Sequence, residues 1–218
     1  MYYNIHNNTP QNINTADVCK STKANIKEPI QMDNELIIKL ADDISSFENL
    51  NQANSVCSSI AKDNPSFEKI SNNIFKCEDC YVNIGKKFLM TAHASGLKNV
   101  TGLGLDCAPE LIAYSDLKNN EDCVLITRIK GTDTSALIPY EQASSTISVE
   151  AKQKLLADVE KLAEKNLANT AFYDYRNWYY LPNEDKIVIS NWSQLAFVPE
   201  NAKPAYRKQI SEMCGLIY

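Results

Sequence analysis

Between residues 33 and 47 the chain reads DNELIIKLADDISSF, and its apolar side chains Leu36, Ile37, Leu40, Ile44 and Phe47 return at steps of three and four. That is the stripe of an amphipathic helix. Asp33 in front of it suits an N-cap, whose side-chain oxygen takes up an orphan N–H. A second helix is predicted over 51–62, ending before Asn64-Pro65. The period then changes. FEKISNNIFKCEDCYVNIGKKF, residues 67–88, consists of short apolar runs broken by Asn-Asn and Glu-Asp, which predicts two or three strands joined by turns. LMTAHASGLKNVTGL predicts a short helix interrupted by Gly96, and PELIAYSDLKNNEDCVLITRIKG a strand, an Asn-Asn turn and a second strand. That second strand, 123–129, is apolar enough to be buried on both faces. From Ser148, a candidate N-cap, helical spacing returns through Val149, Leu155, Leu156, Val159, Leu162 and Leu167. WYYLP and KIVISNW, around a turn at Asn183-Glu184, predict a small hairpin, and KPAYRKQISEMCGLIY a last helix.

Strands that cluster, rather than alternate with helices, predict an α+β fold. At 218 residues the chain suits one domain with a tail. Residues 1–30 are polar, rich in Asn and Thr and without apolar periodicity, and are expected to be a disordered tail. A helical segment is expected over 31–66 and the main domain over 67–218.

Charge and hydropathy narrow the possible partners. A net charge of -5, from 22 basic and 27 acidic residues, argues against a nucleic-acid partner, and the basic residues form no dense stripe. No apolar run of about 18 residues occurs, so no membrane span is expected. The first twenty residues lack the basic and apolar regions of a Sec signal peptide. Their unstructured polar character is compatible with export by a non-classical machine. The seven cysteines are scattered, an odd count that suits free thiols in a reducing cytoplasm. Cys77-Glu-Asp-Cys80 has redox or half-zinc spacing, but no second pair accompanies it, and two cysteines at a tight turn explain it as well. His93, one of two histidines, has no evident Ser or Cys partner and suits a packing role better than a catalytic one.

A larger pattern runs from APELIAYSDLKNNEDCVLITRIKGTDTSAL through the long helix EAKQKLLADVEKLAEKNLAN into NTAFYDYRNWYYLPNEDKIVISNWSQL. In order and spacing it resembles kinase-fold proteins. The nearest likeness is to the aminoglycoside and choline phosphotransferase branch and to the small kinases injected by bacterial type III secretion systems. The resemblance implies a small antiparallel N-terminal sheet lobe and a mainly helical C-terminal lobe, preceded here by helices. It implies ATP and Mg²⁺ as cofactors. The backbone of Arg128, Ile129 and Lys130 would face the adenine ring. Lys86 or Lys87, in IGKK, would reach a phosphate. Asp174 matches the Asp that orients the acceptor hydroxyl, and Asn177 and Asn191 fall near the metal-binding positions.

Departures from the family are as informative. The strands at 67–82 contain no glycine to cover phosphates, and FLMTAHASGLKN contains no acid to pair with a lysine. Phe172-Tyr173 stands where a catalytic-loop His is expected. Asn177 is three residues beyond Asp174 instead of five, and Asn191 replaces a metal-binding Asp. A neutral amide is a poorer ligand than a carboxylate for a hard cation. The expectation is therefore a degenerate, pseudokinase-like bacterial effector or regulatory protein that binds a protein partner, a host protein among the candidates. It would act in the bacterial cytoplasm or inside a host cell. The alternative is an active atypical protein kinase or other ATP-dependent transferase.

Overall fold

The computed structural model describes residues 35–216; the expected tail and the Asp33 cap lie outside them. Helix α1, Glu35–Asp43, continues into a 3₁₀ turn at Ile44–Ser46, and the predicted stripe is its buried side: Ile37, Leu40, Ile44 and Phe47. Helix α2, Leu50–Asp63, starts where Asn49 Oδ1 accepts the Gln52 N–H at 3.1 Å. It stops at Asn64, before a proline that disfavours helical geometry in the residue preceding it.

Five antiparallel strands follow: β1 (Phe67–Ser71), β2 (Ile74–Cys77), β3 (Cys80–Lys86), β4 (Glu110–Asp116) and β5 (Asp122–Arg128). Their order in the sheet is β1-β2-β3-β5-β4. The pairing places β5 between β3 and β4, so β5 has neighbours on both edges and every residue from Asp122 to Thr127 is buried. Alternation along the strands turns Val82, Ile84, Val124 and Ile126 toward one core, shared with Phe67, Phe75 and the apolar sides of α1 and α2. Backbone bonds fix the arrangement: the Lys118 N–H donates to Phe47 O and the Asn119 N–H to Glu48 O, both at 3.0 Å. The Leu50 N–H donates to Asp122 Oδ2 at 2.9 Å. The helices and the five-stranded sheet thus share one core.

Between β3 and β4 lies α3, Lys87–Val100. It is continuous through Gly96, where the sequence predicted an interruption. A Cβ there would come within 1.8 Å of the Trp192 carbonyl oxygen. Glycine is therefore a packing requirement at this position, and the helix absorbs its propensity cost of about 1 kcal/mol.

The second half mixes helices with short strands. It comprises β6 (Ile138–Pro139), α4 (Tyr140–Ala143), α5 (Val149–Glu164), β7 (Leu167–Asn169), β8 (Trp178–Leu181), β9 (Lys186–Ile189), β10 (Leu195–Phe197) and α6 (Lys203–Met213). Strands β6, β8 and β9 form one small sheet, and β7 with β10 another. Ser148 caps α5 as predicted, accepting the Ala151 N–H at 2.8 Å. Leu155, Val159 and Leu162 are buried with Trp178, Ile189, Trp192, Tyr206 and Ile210. Val149, expected on that stripe, is exposed: the buried side of α5 runs through Ala151, Leu155, Asp158, Val159 and Leu162, and Val149 lies off it, although Ala151 in the same turn is in the core. The fold is α+β with an antiparallel sheet. No helix among the described residues is long and apolar enough to cross a membrane.

Candidate functional site

The loops 169–177 and 189–193 meet at the foot of α3, and asparagines knit them together. Asn169 ends β7 and is fully buried. Its Nδ2 donates to Asn191 O at 2.8 Å, its Oδ1 accepts the Ala171 N–H at 3.1 Å, and its own N–H donates to the Tyr206 hydroxyl at 3.3 Å. Asn177 Nδ2 donates to Ala171 O at 3.0 Å. The Asn177 carbonyl accepts the Ser190 N–H at 2.9 Å. Asn191 Oδ1 accepts both the N–H and the hydroxyl of Ser193, at 2.9 and 2.7 Å. Below them Phe172 meets Trp192 edge to face at 5.8 Å, and Trp178 Nε1 donates to Phe172 O at 3.0 Å.

Asn177 thus lies beside Ser190, the neighbour of Asn191, but the two side-chain amides bond different partners; Asp174 lies on the same loop as Asn177. Asp174 is committed elsewhere. Its carboxylate accepts the Arg176 N–H at 3.0 Å, capping the 3₁₀ turn Tyr175–Asn177, and the Arg176 guanidinium grips it at 2.7 to 3.0 Å. Those hydrogen bonds hold its carboxyl below the usual carboxylate range. Sequence reading missed Asn169. It looked for an imidazole near Phe172-Tyr173, whereas Phe172 is core and Tyr173 packs edge to face on Tyr206. An Asn following the Leu-Ala of a short strand carried no signal that set it apart from the chain's many other asparagines.

The donor set does not fit Mg²⁺. A hard divalent cation takes oxygen ligands, preferably carboxylates. Here Asn191 Oδ1 is engaged twice by Ser193, the Asn177 amide donates to a carbonyl, and Asp174 is neutralised by Arg176. No group of three His, Cys, Asp or Glu suited to a metal occurs among the described residues.

The cations expected at phosphate and adenine lie apart from this cluster. Lys86 Nζ sits 2.6 Å from Asp122, and Lys87 Nζ 2.6 Å from Asp116 and 2.7 Å from Asn120 Oδ1. Strand alternation is the reason: Lys86 follows Val82 and Ile84 onto the side of the sheet that packs against α1 and α2. Burial opposes the Asp122 charge, but hydrogen bonds from Lys86, the Leu50 N–H and Asn119 hold its carboxyl below the usual range. Both lysines line a groove of about 570 Å³ with Phe88, Thr91, Asn120 and Glu121, and Phe88 there is 77% exposed. Arg128 bonds Asp79 at 2.7 Å and Lys130 bonds Glu110 at 3.1 Å. The Ile129 N–H donates to Asp79 O at 2.8 Å, and its carbonyl accepts from both the N–H and the hydroxyl of Thr132. The backbone N–H and carbonyl of Ile129, expected to face adenine, are thus engaged within the protein. A cavity of about 190 Å³ beside Arg128 and Lys130 is walled also by Asp106, Glu110 and Lys186. Asp174, Asn177 and Asn191 line neither space.

Cys77 and Cys80 face each other across the β2–β3 turn, both buried and reduced. Burial, with Asp79 adding to it, pushes the Cys80 thiol up to about 12, which makes it a poor nucleophile. Burial also pushes the His93 imidazole below 6.5, and its buried Nε2 has no hydrogen-bond partner among the described residues. No protein-family model matches the chain, and no curated protein matches it.

Proposed function

We propose that this chain is a kinase-type scaffold that does not transfer phosphate and works by binding a protein partner. The carrying observation is that the polar side chains of these two loops are neutral amides bonded within the protein, with Asn169 bridging the loops. A phosphotransferase needs carboxylates there to orient the acceptor and to hold metal. In the H-R-D-x-x-x-x-N pattern the Asp lies five residues before the Asn. Five before Asn177 stands Phe172, and six before stands Ala171, both buried and apolar. Asp174, three before, is consumed by Arg176. The architecture supports the same reading: an antiparallel sheet, a helix after its third strand, then a half built round the long helix α5 with a hairpin leading to Asn191.

Incubation with γ-³²P-labelled ATP and Mg²⁺ tests it, with the protein itself and a generic acceptor as substrates. No transfer is expected from wild type, and none from Asn191→Asp, because the lysines and the Ile129 backbone are committed elsewhere. Millimolar ATP with Mg²⁺ is expected to leave the melting temperature unchanged, since a ligand that does not bind the native state cannot stabilise it. Transfer by wild type that Asp174→Ala abolishes would overturn the proposal in favour of an active atypical kinase.

A further inference from the structure

We infer that α3 is a fixed strut that locks the two halves into a single geometry, with Gly96 as the seat of the lock. The described residues bury two separate apolar cores, one between the five-stranded sheet and α1–α2, the other within the second half. Helix α3 is tied to both. Its first turn belongs to the sheet: the Lys87 N–H donates to Glu121 O at 2.9 Å, Lys87 Nζ pairs with Asp116, and the Thr91 hydroxyl meets the Tyr114 hydroxyl at 2.8 Å. Its last turns belong to the second core, where Leu97 and Val100 are buried with Trp192 and Leu155.

Between these attachments the Trp192 backbone rests directly on Gly96. An added Cβ would lie 1.8 Å from its carbonyl oxygen and 2.9 Å from its carbonyl carbon. A flexible side chain could yield to such a contact, but the opposing atoms are backbone. That backbone is itself pinned, because the preceding residue, Asn191, gives its carbonyl to the buried amide of Asn169. A second tether runs alongside, where the Ile189 N–H donates to Cys107 O at 2.8 Å. A helix held at both ends, and in backbone contact between them, has no swing or slide open to it that leaves its packing intact. The inference concerns the protein's mechanics and holds whether or not a partner is found.

Urea unfolding followed in two places tests it. Trp178 and Trp192 fluorescence reports the second core, and hydrogen exchange of the β3 and β5 amides reports the first. In wild type the two signals are expected to change at the same urea concentration, with the amides of 92–100 as protected as those of α5. In Gly96→Ala the fluorescence midpoint is expected to fall and the two transitions to separate, although alanine is the better helix former. Separate transitions in wild type would overturn the inference. So would a Gly96→Ala midpoint that is unchanged or raised. If Gly96→Ala does not fold, the wild-type pair of transitions decides.

Discussion

Asp158 offers the sharpest test of how the second half is held together. It lies on α5 with its carboxylate almost wholly buried. Oδ2 accepts the Cys107 N–H at 2.8 Å, and Oδ1 meets Lys161 Nζ at 2.9 Å. Lys161 also donates to Gly104 O at 2.6 Å, so two side chains one helical turn apart secure the loop between α3 and β4. Asp158→Ala leaves the buried Cys107 N–H without an acceptor, a loss of about 1–3 kcal/mol. It also removes an ion pair whose lysine side chain is 40% exposed and screened by water, worth roughly 0.5–1 kcal/mol. The sum is about 2–4 kcal/mol. Asp158→Asn keeps an oxygen for Cys107 and loses only the charge, so about 0.5–1 kcal/mol is expected by the same reasoning. Urea denaturation read by tryptophan fluorescence measures both, with an unchanged slope showing that the unfolded state is unaltered. Exchange at 103–109 should quicken in the Ala variant before the rest of the second half opens. An Ala variant that loses less than about 1 kcal/mol, or equals the Asn variant, would refute the assignment of an anchoring role to this carboxylate.

The buried side of α5 should separate from its exposed side: Leu155→Ala and Leu162→Ala are each expected to lose about 2–5 kcal/mol in urea unfolding, and Val149→Ala less than about 0.5 kcal/mol. Burial lowers the folded His93 pKa below 6.5, so the unfolded chain takes up this proton first as the pH falls. The stability attached to His93 is therefore complete above 6.5 and declines below it, by at most about 1.4 kcal/mol per pH unit; His93→Gln should flatten the change in urea midpoint between pH 7.5 and 5.5. The two linked asparagines should respond oppositely to a carboxylate: Asn191→Asp keeps an acceptor for Ser193 and should unfold near the wild-type midpoint. Asn169→Asp sets a buried carboxylate against the Asn191 carbonyl and should lose about 3 kcal/mol or more.

Much of the fold could be read from period alone, because period reports which side of an element is buried. The stripe in α1, the Asn-Asn turn before β5 and the Ser148 cap each follow from chemistry within a few residues. Gly96 could not be read this way. Its local signal is a helix breaker, and the reason for it is the Trp192 carbonyl, 96 positions away in the chain. Val149 failed because spacing counts an apolar residue near the start of a helix on the stripe, whereas the buried side there is carried by Ala151, about 200° round the helix from it. The close union of α1 and α2 with the sheet rests on bonds from Leu50, Lys118 and Asn119 that no spacing rule anticipates.

Of the candidate site, the hairpin was legible and the chemistry was not. The hairpin of β8 and β9 returns the chain to Asn177, whose carbonyl accepts the Ser190 N–H, one residue before Asn191. What a residue does there depends on the partner that takes its polar atoms, and sequence does not give partners. A carboxylate at such a junction is an acceptor only, and where several converge, something positive must balance them. An amide both donates and accepts, so amides can close a junction without an external ion. Asn169 does this, giving its N–H to one loop and taking an N–H from the other, while Asn177 donates to Ala171 and Asn191 accepts from Ser193. The one carboxylate on these loops, Asp174, has its own cation two residues away. Asn191 joins the loops through its backbone carbonyl, which the buried Asn169 amide holds, and the geometry is fixed by packing of the next residue against Gly96.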